Sequence, residues 1–311
     1  MQSSPTSEFP AQRRLLLVDG HAFAYRAFFA IRSLSSPEGA ATNAIYGFIR
    51  MLGRMQAKVR PSHLAVVWDG GLASERTTLL PEYKAQRPEM PRDLEQQLDQ
   101  IVAYLHAAGV VSILQDSCEA DDLIAALTRR AVTDGLEVVI ASSDKDFMQL
   151  VSPEVRLLNP QDKTDTLWGA EEVRAKTGVE PTQIVDWLSL TGDAVDNIRG
   201  VPGVGAKTAT NLLHQFGSVD GLYHRLEEVH TDRLRVNLQA AEEVIRRNQK
   251  LVRLKCEVPC EVSLEELVCK PGDAAALRGL FARWGFKSLL RELDQTRLPA
   301  GDFFPETAGA C

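Results

Sequence analysis

The chain has 311 residues, 44% of them hydrophobic and 25% charged, enough to bury a main domain with a smaller one beside it. No apolar run approaches the ~18 residues that span a bilayer, and the run 15–18 stops at Asp19, short of the ~7–15 apolar residues of a secretory signal, so a cytosolic protein is expected. The formal net charge of −7 by itself disfavours a nucleic-acid partner, unless the acid is concentrated at one place and the remaining surface is basic.

Residues 1–12, rich in Ser, Pro and Thr and without periodicity, read as a disordered leader. Short apolar runs dense in β-branched residues follow at 15–18, 64–68, 110–114 and 137–141, separated by helical patterns at 41–58, 92–108 and 120–134. Strands alternating with helices predict an α/β fold over 13–179, a mostly parallel central sheet flanked by helices. From about Glu180 the strand signal stops, and helical patterns continue to about Leu293. A helical domain over 180–294 and a loose tail over 295–311 are therefore expected. Cys118, Cys256, Cys260, Cys269 and Cys311 are an odd, scattered set without the density of a disulfide scaffold, and Cys256 and Cys260 have no neighbouring His or second Cys pair to hold zinc. They read as reduced, mostly buried thiols.

Acid follows each predicted strand. Asp19 follows 15–18, Asp69 follows 64–68, Glu119, Asp121 and Asp122 lie beyond 110–114, and Asp144 and Asp146 lie beyond 137–141; Asp193 and Asp196 open the helical half. One strand-end Asp is an ordinary turn or N-cap residue, but here that reading must hold for five stretches at once. These nine carboxylates, set against the net −7, leave the rest of the chain at +2. A parallel sheet binds ligands beyond the carboxyl ends of its strands. Nine carboxylates packed there in a partly dehydrated cleft repel, so a compensating cation is expected. An all-oxygen set suits Mg²⁺ or Mn²⁺ and disfavours zinc. Two such ions ~3.5–4 Å apart serve in-line phosphoryl displacement.

The strings Leu-Val-Asp-Gly-His (17–21), Tyr-Lys-Ala-Gln-Arg-Pro (83–88), Glu-Ala-Asp-Asp (119–122), Ser-Asp-Lys-Asp (143–146), Thr-Gly-Asp-Ala-Val-Asp-Asn-Ile (191–198) and Gly-Val-Gly-Ala-Lys-Thr-Ala (203–209) resemble the 5′-nuclease domain of bacterial DNA polymerase I, within the flap endonuclease family. The resemblance runs in order from about Leu15 to Leu290. It implies a PIN/resolvase-like α/β domain with a helical arch at about 74–92, and a C-terminal helix-hairpin-helix-type DNA-binding domain. The implied activity is structure-dependent 5′-3′ exonuclease and flap endonuclease hydrolysis of DNA near 5′ ends, by two metal ions, in primer removal and repair. The implied partners are branched, nicked or 5′-flap DNA and RNA-primed DNA, met by a monomer.

Carried over by position, the resemblance has Asp19, Asp69, Glu119 and Asp121 hold the first divalent ion and Asp144, Asp146, Asp193 and Asp196 the second, with Asp122 one step behind the ligands. Some relatives lack part of the second set; its retention here favours catalysis over a DNA-binding role in which metals only organise the fold. A nuclease of the same fold acting chiefly on RNA is the other alternative.

Gly203-x-Gly205-x-Lys207-Thr208 fails two nucleotide signatures: Walker A needs Gly and Lys adjacent, and the dinucleotide fingerprint needs a third Gly where Thr208 stands. A tight Gly turn opening a helix still offers bare N–H groups and a positive dipole end to a DNA phosphate. The resemblance makes it a grip on duplex, with a bound K⁺. In the arch it implies that Lys84 and Arg87 meet the scissile phosphate, that Arg26 meets a phosphate from below, that Arg76 binds DNA and that Tyr83 stacks on a base. Three residues depart from the pattern: Glu75 where relatives often have Phe, Pro81 inside the arch helix, where it removes a hydrogen bond, and Arg199 in place of Pro.

Overall fold

The computed structural model describes residues 13–159 and 166–295. The expected leader, and the tail from residue 296 onward, lie outside the described residues.

The first half runs β1 (Arg14–Asp19), α1 (Gly20–Ala30), α2 (Asn43–Val59), β2 (His63–Trp68), α3 (Ser74–Leu79), α4 (Arg92–Ala107), β3 (Val111–Leu114), α5 (Ala120–Thr133), β4 (Glu137–Ala141), β5 (Val155–Leu158) and β6 (Leu167–Trp168). The sheet order is β3-β2-β1-β4-β5-β6, with every pairing parallel except β5 with β6. β1 and β2 are apolar along nearly their whole length because helices cover both faces of the sheet. Alternate residues of these strands accordingly feed two cores. Leu15, Leu17, Ala65 and Val67 pack toward α5 and the helical half, while Leu16, Val18, Leu64 and Val66 pack toward α1, α2 and α4. The register sets Asp19 beside Val67 and Val18 beside Ala141, so β1, β2 and β4 end level at one edge.

The helical half contains α6 (Ala170–Thr177), α7 (Ile184–Thr191), a two-residue hairpin of β7 (Gly192–Asp193) with β8 (Ile198–Arg199), α8 (Ala206–Phe216), α9 (Val219–His224), α10 (Asp232–Ala240) and α11 (Glu242–Val252). Asn248, fully buried on α11, donates to the Ser189 carbonyl at 3.1 Å and the Arg199 carbonyl at 2.8 Å. It thereby locks the hairpin against α7. The Arg199 side chain itself is exposed.

The last two helices, α12 (Ala274–Trp284) and α13 (Lys287–Gln295), do not join the helical half. They return to the α2–α4 side of the sheet: Phe281 stacks on Tyr104 at 6.3 Å between centroids, Phe286 meets Tyr46 edge-on at 5.1 Å, and Glu292 pairs with Arg50 at 2.8 Å. A 3.6-residue apolar period states that one face is buried, not what buries it, which is why periodicity alone ran them on from 180. No helix among the described residues is long and apolar enough to cross a membrane. Of the four described cysteines, Cys118 is buried and Cys269 is exposed, and all four are free thiols.

Candidate active site

At the level edge of the sheet the carboxylates are fixed by backbone amides. Asp19 closes β1 and caps α1, accepting from the Ala22 amide at 3.0 Å and from the Ser142 hydroxyl at 2.9 Å. Only glycine fits next: a Cβ at Gly20 would lie 2.6 Å from the Trp68 indole. Asp69 accepts from the Ala120 amide at 2.9 Å, and its own amide donates to His21 Nδ1 at 3.2 Å. Asp144 accepts from the Asp146 amide at 2.9 Å, and its amide donates to Ser142 at 3.1 Å, so Ser142 ties Asp19 to Asp144. Asp193 accepts from the Val195 amide and pairs with Lys145, both at 3.0 Å.

Asp19, Asp121, Asp144 and Asp146 resist ionisation. Burial, opposed by the bonds from Ala22 and Ser142 and reinforced by Asp69 and Asp144, pushes the Asp19 carboxyl up to about 6. Asp121 stands well above the ordinary range through burial and then the charges of Asp144 and Asp19. Burial likewise raises Asp146, with Asp144, Asp193 and Asp196 adding repulsion, and it raises Asp144, beside Asp196 and Asp193. Asp146, Asp193 and Asp196 each offer an oxygen within 4.8 Å of the others, the one such triple among the described residues. Asp146 Oδ1 is buried with no hydrogen-bond partner. A desolvated cluster of hard oxygens with an unsatisfied lone pair fits a hard divalent cation.

Glu119, at the N-cap of α5 and 1% exposed, is gripped on both oxygens. Oε1 accepts from the Ala73 amide at 3.3 Å and Arg76 at 3.0 Å; Oε2 accepts from the Tyr83 hydroxyl at 3.2 Å and from Lys84 Nζ. Burial pushes its carboxyl up, but Lys84 and Arg76 outweigh that and hold it below the usual range. Residues 74–92 do not form the expected arch helix. α3 stops at Leu79, two residues before Pro81, and turns follow. Lys84 adopts φ +56°, which aims its amide at the Asp196 carbonyl, 3.1 Å away, and leaves Nζ on Glu119 and 4.0 Å from Asp196. Arg87 pairs with Asp196 at 2.7 Å, and Asn197 donates to the Glu82 carbonyl at 2.9 Å. The segment is folded down onto the acid because buried Glu119 and Asp196 attract its cations.

Two family models decide the relationship. One, for the 5′-3′ exonuclease N-terminal resolvase-like domain, matches residues 14–178; the other, for the 5′-3′ exonuclease C-terminal SAM fold, matches 179–275. The chain belongs to the 5′-3′ exonuclease family. This bears out the resemblance read from the motifs, and it makes the protein a nuclease, a hydrolase of phosphodiester bonds. The 5′-3′ exonuclease of Aquifex aeolicus is 40% identical over 283 residues, covering 91% of this chain and 96% of that one. DNA polymerase I of Bacillus caldotenax is 37% identical over 285 residues. There the match covers 91% of this chain and 32% of the polymerase, so the exonuclease spans about a third of that relative. Among solved structures, bacteriophage T5 5′-exonuclease with bound divalent zinc matches with a TM-score of 0.65 at 25% identity, over 77% of this chain and 89% of that one. The catalytic core of Rad2 in complex with DNA substrate shares the fold, with a TM-score of 0.61 at 17% identity over 91% and 92% of the two chains.

Two residues expected on DNA lie elsewhere in the exonuclease. Tyr83 is 4% exposed, its hydroxyl donating to Glu119 and to Asp196 at 3.3 Å, so no ring face is open to a base. Arg76 is 2% exposed and bound to Asp122 at 2.7 and 2.8 Å, out of reach of any phosphate. Glu75, the departure next to it, pairs with Lys255 at 2.5 Å. Arg26 lies part-buried on α1 against Arg54 and Lys58 of α2, around a small pocket. The glycine turn sits at the start of α8, with Gly205 as N-cap, Gly203 at φ +81° and Lys207 exposed; Thr208 is half-buried. Ser142, Lys145 and His21 are site residues that sequence reasoning missed. The first two flank or interrupt the Ser-Asp-Lys-Asp string, and that adjacency was the available signal.

Proposed function

We propose that eight of the nine carboxylates hold two divalent cations, Mg²⁺ or Mn²⁺, and that the exonuclease hydrolyses DNA near 5′ ends in branched, nicked or 5′-flap substrates, RNA-primed DNA included. In this reading Asp19, Asp69, Glu119 and Asp121 serve one cation and Asp144, Asp146, Asp193 and Asp196 the other. The observation that carries it is the convergence of Asp146, from the β4 end, with Asp193 and Asp196, from the helical half, around an unsatisfied buried oxygen.

When bound, the cations supply a water-derived nucleophile at neutral pH and neutralise charge on the phosphate. The chain supplies the rest. Lys84 and Arg87, which now pair with Glu119 and Asp196, exchange those carboxylates for the scissile phosphate and stabilise its developing charge. Arg26 takes a phosphate from the α1 side. The first-turn N–H groups of α8, with Lys207 and Thr208, would hold a duplex phosphate without reading sequence, and the Gly203–Gly205 turn would be where a K⁺ ion is held. The protein acts as a cytosolic monomer in primer removal and repair, either alone or as a polymerase domain.

The test is cleavage of end-labelled flap, nicked and blunt DNA with Mg²⁺, Mn²⁺ or EDTA, beside matched RNA strands. Release of short 5′ products from flap and nicked DNA in metal, and none in EDTA, is expected. Undiminished cleavage in EDTA, or none in either metal, would sink the reading.

A further inference from the structure

Arg76 is among the largest fully buried side chains of the protein, and its guanidinium makes five hydrogen bonds. It donates to Glu119 Oε1 at 3.0 Å, to both oxygens of Asp122 at 2.7 and 2.8 Å, and to the carbonyls of Leu251 and Arg253 at 3.0 and 3.2 Å. Asp122 in turn accepts from the Lys255 amide at 2.9 Å. Three segments therefore meet on one cation: α3 at the base of the folded-down segment, the start of α5, and the C-terminal end of α11, whose carbonyls are the negative pole of that helix.

The arrangement acts on Glu119. With Oε1 taken by Arg76 and the Ala73 amide, only Oε2 faces Lys84 and Tyr83, the side on which the carboxylates gather. Asp122 engages Arg76 through both oxygens, Oδ1 also accepting from the Lys255 amide, which makes it the clamp on Arg76. Without Asp122, Arg76 would close bidentately on Glu119, the favoured geometry between a guanidinium and a carboxylate, and withdraw Oε2 from the cluster.

We infer that Arg76, clamped by Asp122, is a positioning residue: it fixes Glu119 with one oxygen turned to the cation cluster and fastens that geometry to the end of α11 in the half proposed to hold duplex. The inference rests on the proposed role of Glu119 as a cation ligand. A phosphate contact for Arg76 is excluded by its burial and its five filled donors.

Removing either partner alone would strand a buried charge and confuse positioning with folding, whereas replacing both by apolar residues of similar size is often neutral for stability. The double variant Arg76→Met with Asp122→Leu is therefore compared with wild type by thermal melting in EDTA, by Mn²⁺ titration followed by electron paramagnetic resonance, and by DNA affinity in EDTA. A melt close to wild type, unchanged DNA affinity and a ~10–100-fold weaker Mn²⁺ step are expected, the usual effect of losing a group that orients a metal ligand. Wild-type Mn²⁺ affinity in the folded double variant overturns the inference, and so does a loss confined to DNA affinity. If the double variant fails to fold, Arg76→Lys serves, since it keeps a charge for Asp122 but lacks the fork that holds Glu119; Mn²⁺ binding equal to wild type is again the overturning result. Wild-type protein that takes up no Mn²⁺ would instead overturn the metal reading, so the two failures are told apart.

Discussion

Asp19→Asn should stabilise the metal-free exonuclease while it removes a carboxylate proposed to hold a cation. Burial has raised the Asp19 carboxyl from its ordinary 3.8 to about 6. A group raised in the folded state contributes stability that is fully present below its unfolded value and is lost as pH rises through its folded one. At pH 7 the metal-free wild type has lost that contribution, and the gap between 3.8 and about 6 corresponds to about 3 kcal/mol. Asparagine does not titrate; its carbonyl keeps the Ala22 amide bond, and the Ser142 hydroxyl rotates to accept from its amide. In EDTA the variant's advantage over wild type should grow from near zero at pH 4 to about 5 °C in melting temperature at pH 7. Glu119, whose carboxyl is lowered, loses stability in the opposite direction as pH falls, but it does so in both proteins and cancels in the difference. The assay is calorimetry or circular dichroism melting across that range, repeated with saturating Mn²⁺, where wild type should overtake the variant because only it keeps the full ligand set. A constant offset of any size reports a changed hydrogen bond. A gap that does not widen between pH 4 and pH 7 refutes the claim that Asp19 is held ionised against its surroundings.

Asp146→Asn should leave the fold intact and lower the single-turnover cleavage rate by about 10²-fold or more in saturating Mg²⁺; a near-wild-type rate removes Asp146 from the reactive centre. Lys84→Ala and Arg87→Ala should each slow the single-turnover step about 10²-fold while changing DNA affinity much less. The reverse split makes them simple grip residues. Lys207→Ala should weaken binding to duplex-containing DNA and lower the salt slope of log K by about 0.9, with the rate at saturating DNA preserved; a wild-type slope makes Lys207 a structural residue of the turn.

The parallel sheet was legible because β1, β2 and β4 are buried on both faces and read as nearly unbroken apolar runs, and β3, a half-exposed edge strand, is also present where it was predicted. β5 and β6 were not, since a four-residue strand carrying Arg156 and a two-residue edge strand offer no period to detect. Pro81 marked correctly where the segment after α3 leaves helical geometry, but proline states only where a helix ends, not where the chain goes next. Its path is set by Lys84, Tyr83 and Arg87 settling on Glu119 and Asp196, contacts that join residues more than thirty positions apart.

The carboxylates were legible for a different reason than the cations. An acid beyond a strand is placed by the strand, so topology alone carries Asp19, Asp69 and Asp144 to one edge. A basic side chain on a surface segment is placed by whatever charge it finds, and the expectation for Arg76 and for Tyr83 was an exposed face open to DNA. Arg87 lies inside the Tyr-Lys-Ala-Gln-Arg-Pro string and Arg76 outside it, but neither position in the sequence states which partner its side chain will meet. What separates them is Asp122, 46 residues on, and the carbonyls of Leu251 and Arg253, which complete one guanidinium and leave the other 42% exposed on its single carboxylate. A cation whose donors are all filled by buried partners is costly to move; one held by a single carboxylate at the surface is cheap to redirect. On that difference Arg76 belongs to the fixed frame of the site, and Arg87 is the cation free to exchange its carboxylate for a phosphate, as the proposed function requires.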